Sequence, residues 1–113
     1  MTMTLNEYQN QALQTAIFPQ RGEYPGIMYL GLGLTGESGE ITDHIKKGFR
    51  DDNAEILPAR KKLMRAELGD VLWYVAVLAS ELGFTLDEVA KYNTAKLMDR
   101  MQRGVLGGSG DNR

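Results

Sequence analysis

From Pro58 to Gly83 the chain reads as one long helix, and this segment constrains the fold more than any other feature. Pro58 suits a first helical turn, where its missing N–H removes no hydrogen bond. From Val71 to Ala79 the segment is apolar on every side, the pattern of a central helix covered by neighbours or by a second subunit. That run is far too short to span a bilayer, which takes about 20 residues as a helix. Such a helix needs partners, and the remaining sequence supplies three.

The first is expected to start at Thr4, where Thr4 and Glu7 have the spacing of a capping box, and to run to Phe18, stopping before Pro19. Pro19 to Gly26 holds two prolines and two glycines and reads as a loop. The second helix is expected over Ile27 to Lys47, with Gly48 just beyond its end and Lys46 and Lys47 near the negative pole of its dipole. Gly31, Gly33, Gly36 and Gly39 each cost a helix about 1 kcal/mol relative to alanine. They read as places where another backbone or a ligand comes close. Asp51 to Leu57 then connects to the helix that opens with Pro58. The fourth is expected from Thr85, with Glu88 as its capping-box partner, to Arg103. Gly104 to Arg113 has four glycines and reads as a flexible tail. The expected fold is all-α. About four helices form one domain over residues 1–103, completed by oligomerisation, with the tail over 104–113.

Composition narrows the function classes. A length of 113 residues fits one domain. The formal net charge of -2 gives no general attraction to polyanions, so broad nucleic-acid binding is not expected. With no cysteine, neither disulfides nor thiolate chemistry contribute. Met1 to Gln14 is polar and lacks the apolar core of a signal peptide. A cytoplasmic protein with no membrane partner is the expectation.

Four acids stand where apolar residues should. On the second helix Leu30, Leu34, Ile41 and Ile45 form a core-facing stripe; Glu37 falls in it and Glu40 lies about 60° away. On the third, Leu63, Tyr74 and Val77 mark a face that includes Glu67 and Asp70. A single glutamate is ordinarily a surface residue. Two equally spaced pairs on the apolar sides of two helices are different. They repel, lose hydration and take up protons unless cations compensate them. Magnesium is an efficient compensator, since it binds a few carboxylates together with waters and substrate phosphates. Iron is the competing metal, but di-iron bundles repeat Glu-x-x-His on two helices. Here the one histidine, His44, lies four residues beyond Glu40 and none is near Asp70. His44 reads as a solvated side chain.

These residues resemble a known family, the MazG-like all-α nucleoside triphosphate pyrophosphohydrolases. Gly36-Glu37-Ser38-Gly39-Glu40 is similar to the family's Glu-x-x-Glu element. Glu67-Leu68-Gly69-Asp70, followed by Val71-Leu72-Trp73-Tyr74, is similar to its Glu-x-x-Asp element. Asn93-Thr94-Ala95-Lys96, with Arg100 one turn on, resembles the stretch that closes the family's site. The resemblance covers Leu5 to Arg103. Some members carry an extra glutamate where this chain has Gly36 or Ala66, so roles of those glutamates do not transfer. Asp43 does supply an acid one turn after Glu40, and the chain has no tandem second copy, like the short members.

The resemblance implies hydrolysis of a nucleoside triphosphate to the monophosphate and pyrophosphate. Glu37, Glu40, Glu67 and Asp70 would be the catalytic acids and would hold Mg2+, with Mn2+ as a substitute. Lys96 and Arg100 would neutralise phosphate oxygens, Asn93 would hold sugar or phosphate, and Lys47 is a weaker candidate. Without the resemblance, Lys96 and Arg100 read as a solvated basic face pairing with Asp99 or another acid. Trp73 and Tyr74 read first as core and second as a stacking surface for a base, with Tyr8, Gln9 and Phe18 as alternatives. A homodimer or homotetramer with active sites near the interface is expected. Within the same chemistry, hydrolysis of dUTP or phosphoribosyl-ATP is the rival. From another class, the rival is a helical dimerisation module whose acids bind metal only for stability.

Overall fold

The structure, a computed structural model, describes residues 2–113; Met1, where the expected domain begins, lies outside the described residues. Its four helices are α1 (Leu5–Gln14), α2 (Tyr24–Asp51), α3 (Pro58–Glu81) and α4 (Leu86–Gln102), with no strand among the described residues. The all-α expectation holds, with shifted boundaries that have physical causes.

Thr4 caps α1 through the reciprocal box expected of it, with bonds to and from Glu7 of 3.0 and 3.1 Å. The helix stops at Gln14 rather than Phe18. Beyond it Ala16 and Phe18 are buried, and Phe18 stacks on Tyr29 with ring centroids 5.6 Å apart. Burying those two side chains outweighs another turn of helix.

α2 begins at Tyr24, inside the expected loop, because Pro25 starts the helix rather than breaking it. It then continues unbroken past Gly48 to Asp51. Gly48 is not a terminator. The α2–α3 connector folds back over it, and a Cβ there would lie 2.6 Å from the Glu55 carbonyl oxygen. Lys46 and Lys47 lie away from the helix end and pair with Asp43 at 3.0 and 2.7 Å. Of the four earlier glycines, Gly33 alone has a close neighbour, and it is the Tyr74 ring rather than a backbone; Gly31, Gly36 and Gly39 face open space.

At the end of α3 the Gly83 N–H bonds the Ser80 carbonyl and the Phe84 N–H bonds the Ala79 carbonyl, at 3.0 and 2.8 Å. This is a Schellman cap, and it needs the left-handed backbone that Gly83 adopts at φ 85°. The chain turns through 100° into α4. Thr85 accepts from the Glu88 N–H at 3.1 Å, one half of the expected box.

α2 and α3 form the long hairpin of the molecule, while α1 and α4 pack against one end of it. Ala12, Ala16, Phe18, Leu30, Ala76, Val77 and Leu86 make the core there. Gln9 is buried among them with its polar atoms used: Nε2 donates to the Ala76 and Phe84 carbonyls at 3.0 and 3.1 Å, and Oε1 accepts from the Leu86 N–H at 3.0 Å. Away from that end the hairpin is open. Phe49 is 76% exposed, and Ile45 and Leu63, expected to face the core, are about half exposed; Leu32, level with the core but turned outward, is 74% exposed. The fold is thus a core at one end with bare apolar helix faces at the other. No single helix is long and apolar enough to cross a membrane.

Candidate active site

The acids converge in the hairpin. Glu37 on α2 and Glu67 and Asp70 on α3 each offer a carboxylate oxygen, all within 4.8 Å of one another. Glu40, one turn from Glu37 and more exposed, lies near enough to Glu67 and Glu37 for its charge to act on both. The shared three-residue spacing explains this. It puts both acids of a pair on one face of their helix, and the hairpin turns the two faces toward each other.

Such crowding has an electrostatic signature. A hydrogen bond with Glu40, then lost hydration, then the charges of Glu40 and Glu37 push the Glu67 carboxyl up to about 7. Glu37 is also raised, first by burial and then by the Glu40 and Asp70 charges. One of its oxygens, Oε2, is buried without a hydrogen-bond partner. A carboxylate oxygen left unpartnered among neighbouring anions has the chemistry of a cation-binding donor set. Hard oxygen ligands and accumulated negative charge fit a divalent ion such as magnesium.

A pH dependence follows. The folded Glu67 binds its proton more tightly than the unfolded chain, whose value is near the ordinary 4.5. The associated stability is complete below that value and is lost as pH rises through about 7. In chelator, the melting temperature is expected to fall from about pH 5 to about pH 8, with a shallower slope in Glu67→Gln. Thermal denaturation across that range checks it.

The neighbouring wall is aromatic. A cavity of about 340 Å³ is lined by Thr15, Glu37, Asp70, Trp73 and Tyr74, so the acids form one side of it. Trp73 donates its indole N–H to Thr15 Oγ1 at 2.8 Å and meets Tyr74 edge-on at 5.0 Å. The Tyr74 hydroxyl is pushed up mainly by burial, then by Tyr29, Glu37 and Asp70, which places it beside the acids. Tyr8 is raised by burial and then by Asp70. Trp73 and Tyr74 therefore border both the core and the cavity. Gln9 and Phe18, considered for a base pocket, are core residues instead. Thr15 carried no sequence signal, since nothing marks a threonine after a helix as the acceptor for an indole 58 residues away.

The basic candidates lie elsewhere. α4 packs on α1 and α3 and has no backbone neighbour on α2. Arg100 is buried and donates to the Asp111 carbonyl at 2.6 Å; Lys96 lies 3.5 Å from the Asp111 carboxylate. The tail thus folds against this pair and supplies the other acid, Asp111, while Asp99 pairs with Arg103 at 2.9 Å. Asn93 is exposed on the same helix. Lys47 is held by Asp43, whose carboxyl is drawn down to about 2 chiefly by that contact and by Lys46. His44, expected in solvent, is half-buried with Nε2 3.9 Å from Glu67 Oε1.

Comparison with known proteins agrees with this geometry. The chain is 45% identical over 114 residues to the Gene 37 protein of Mycobacterium phage L5, covering 98% of this chain and 100% of that one. No solved structure matches. The MazG nucleotide pyrophosphohydrolase domain matches residues 28–105, a span that holds both acidic pairs and most of the helical hairpin. By that match over most of its length, with the acids of α2 and α3 gathered as described, the chain belongs to the MazG nucleotide pyrophosphohydrolase domain family.

Proposed function

We propose that the protein is a magnesium-dependent nucleoside triphosphate pyrophosphohydrolase, cleaving a (deoxy)nucleoside triphosphate to the monophosphate and pyrophosphate. The observation that carries this reading is the convergence of Glu37, Glu67 and Asp70 within 4.8 Å, with a buried oxygen of Glu37 unpartnered. Glu37, Glu67 and Asp70 would hold the cation, with Glu40 at the rim as a fourth ligand. A bound divalent ion supplies charge to offset phosphate oxygens and acidifies a coordinated water.

The chain's own groups have distinct tasks. The Glu67 carboxyl, pushed up to about 7 beside Glu40, exchanges its proton near neutral pH. A cation held there would compete with that proton, so its affinity is expected to rise with pH. Trp73, Tyr74 and Thr15 line the adjoining cavity and offer ring faces and a hydroxyl to the nucleoside. Phosphoryl chemistry depends mainly on positioning and charge stabilisation, so no serine or cysteine nucleophile is needed.

Lys96 and Arg100 are proposed phosphate ligands on a different footing. In one chain they sit on a helix with no backbone neighbour on α2 and are engaged by Asp111. Their participation requires a homodimer or homotetramer that brings α4 of one copy toward the acids of another, with Asp111 displaced. The exposed apolar faces of α2, around Leu32 and Phe49, favour such assembly.

The test is a panel of ribo- and deoxyribonucleoside triphosphates, dUTP and phosphoribosyl-ATP, assayed for pyrophosphate release with magnesium and with chelator. Magnesium-dependent release from triphosphates, abolished by chelator, is expected. No turnover on any member, with metal still raising the melting temperature, would favour the non-catalytic dimerisation module.

A further inference from the structure

Behind the acids a file of half-buried polar side chains runs from the α2–α3 connector to Glu67. Asp52, the residue that ends α2, accepts from Arg60 Nε at 3.0 Å. Arg60, in the first turn of α3, places Nη1 3.4 Å from His44 Nδ1. His44 Nε2 faces Glu67 Oε1 at 3.9 Å. The four side chains are between 16% and 20% exposed. The connector keeps Asp52 in place, folding over Gly48 with Asn53 and Ala54 both in the left-handed region at φ 56° and 60°.

The chemistry of this file runs in one direction. A guanidinium has donors and no acceptor, so the nitrogen of His44 that faces Arg60 must be the one with the lone pair. The ring proton then resides on Nε2, the nitrogen aimed at Glu67. An arginine anchored by an aspartate thus fixes both the tautomer and the plane of the imidazole. At 3.9 Å the last contact is electrostatic rather than a hydrogen bond. An uncharged donor in this position orients a carboxylate without placing a full positive charge beside a cation site, as a lysine would.

We propose that His44 is a positioning residue for Glu67, locked as the Nε2–H tautomer by Arg60 and Asp52, and that it tunes the affinity of the acidic cluster for a divalent cation. The proposal rests on the metal-binding reading of the site. Groups behind a metal ligand fix its orientation and basicity, and losing one weakens metal affinity by about 10–100-fold.

Manganese binding to the full chain, followed by electron paramagnetic resonance of the free ion, provides a readout independent of turnover. The side-chain amide nitrogen of glutamine overlays Nε2 of histidine, whereas that of asparagine overlays Nδ1. His44→Asn and Arg60→Met are expected to weaken Mn2+ binding by about 10-fold or more. His44→Gln is expected to stay within about threefold of the parent, because it restores the donor facing Glu67. Unchanged affinity in His44→Asn would overturn the proposal. Equal weakening in His44→Asn and His44→Gln would overturn it too, since packing rather than the donor would then be responsible. A parent chain that binds no Mn2+ would defeat the metal reading itself, and this inference with it.

Discussion

Glu67→Gln and Asp70→Asn are each expected to lower magnesium-dependent pyrophosphate release by about a thousandfold, while circular dichroism shows the same helix content. The size follows from what is removed: fixed charge at a reacting centre is worth about two to three orders of magnitude in rate. Stability should move the other way. Without metal, each acid repels its neighbours: after burial, the Glu40 and Asp70 charges raise Glu37, and after a hydrogen bond with Glu40 and lost hydration, the Glu40 and Glu37 charges raise Glu67. Each amide variant should therefore melt no lower than the parent in chelator and gain less from added magnesium. Turnover equal to the parent in both variants would remove these acids from the mechanism.

The largest expected loss of stability lies far from the acids. Gln9→Leu keeps the bulk of the side chain but abolishes three bonds that join α1 to the α3–α4 turn. The Leu86 N–H belongs to the first turn of α4, where no helical carbonyl can serve it. Leaving buried groups unpaired costs about 1–3 kcal/mol each. A total of about 3 kcal/mol corresponds to a drop of about 15 °C in the melting temperature of a domain this size. Differential scanning calorimetry of parent and variant tests it. A change of a degree or two would show that the core tolerates those groups without Gln9.

The sequence made the acids legible because their meaning is local. Three-residue spacing on a helix decides which face a pair occupies, and Glu37, Glu67 and Asp70 do meet in one hollow. Thr4, Pro58 and Gly83 likewise act on the backbone within a turn of themselves, so helix ends near them were readable. What failed depends on distant partners. Pro25 could break or begin a helix, and in the structure it sits in the first turn of α2. Gly48 resembles a terminator until the connector is seen lying over it. His44 looked solvated because Arg60, sixteen residues away in sequence, is what turns its ring toward Glu67. Lys96 and Arg100 stand apart from these: their proposed role rests on the motif, and spacing along α4 carries no information about its separation from α2.

Drawing all four acids from two neighbouring helices makes angular phase the quantity that must be preserved. One residue added to an α-helix rotates everything on one side of it by about 100° relative to the other. An insertion in α2 between Glu40 and Gly48 would leave Gly48 seated under the connector and swing Glu37 and Glu40 out of the hollow. The same insertion within residues 53–56 would lengthen an exposed turn and leave both pairs in phase. Tolerance to length change therefore switches off abruptly at the helix ends, and chain lengthening meets its limit in geometry before it meets one in stability.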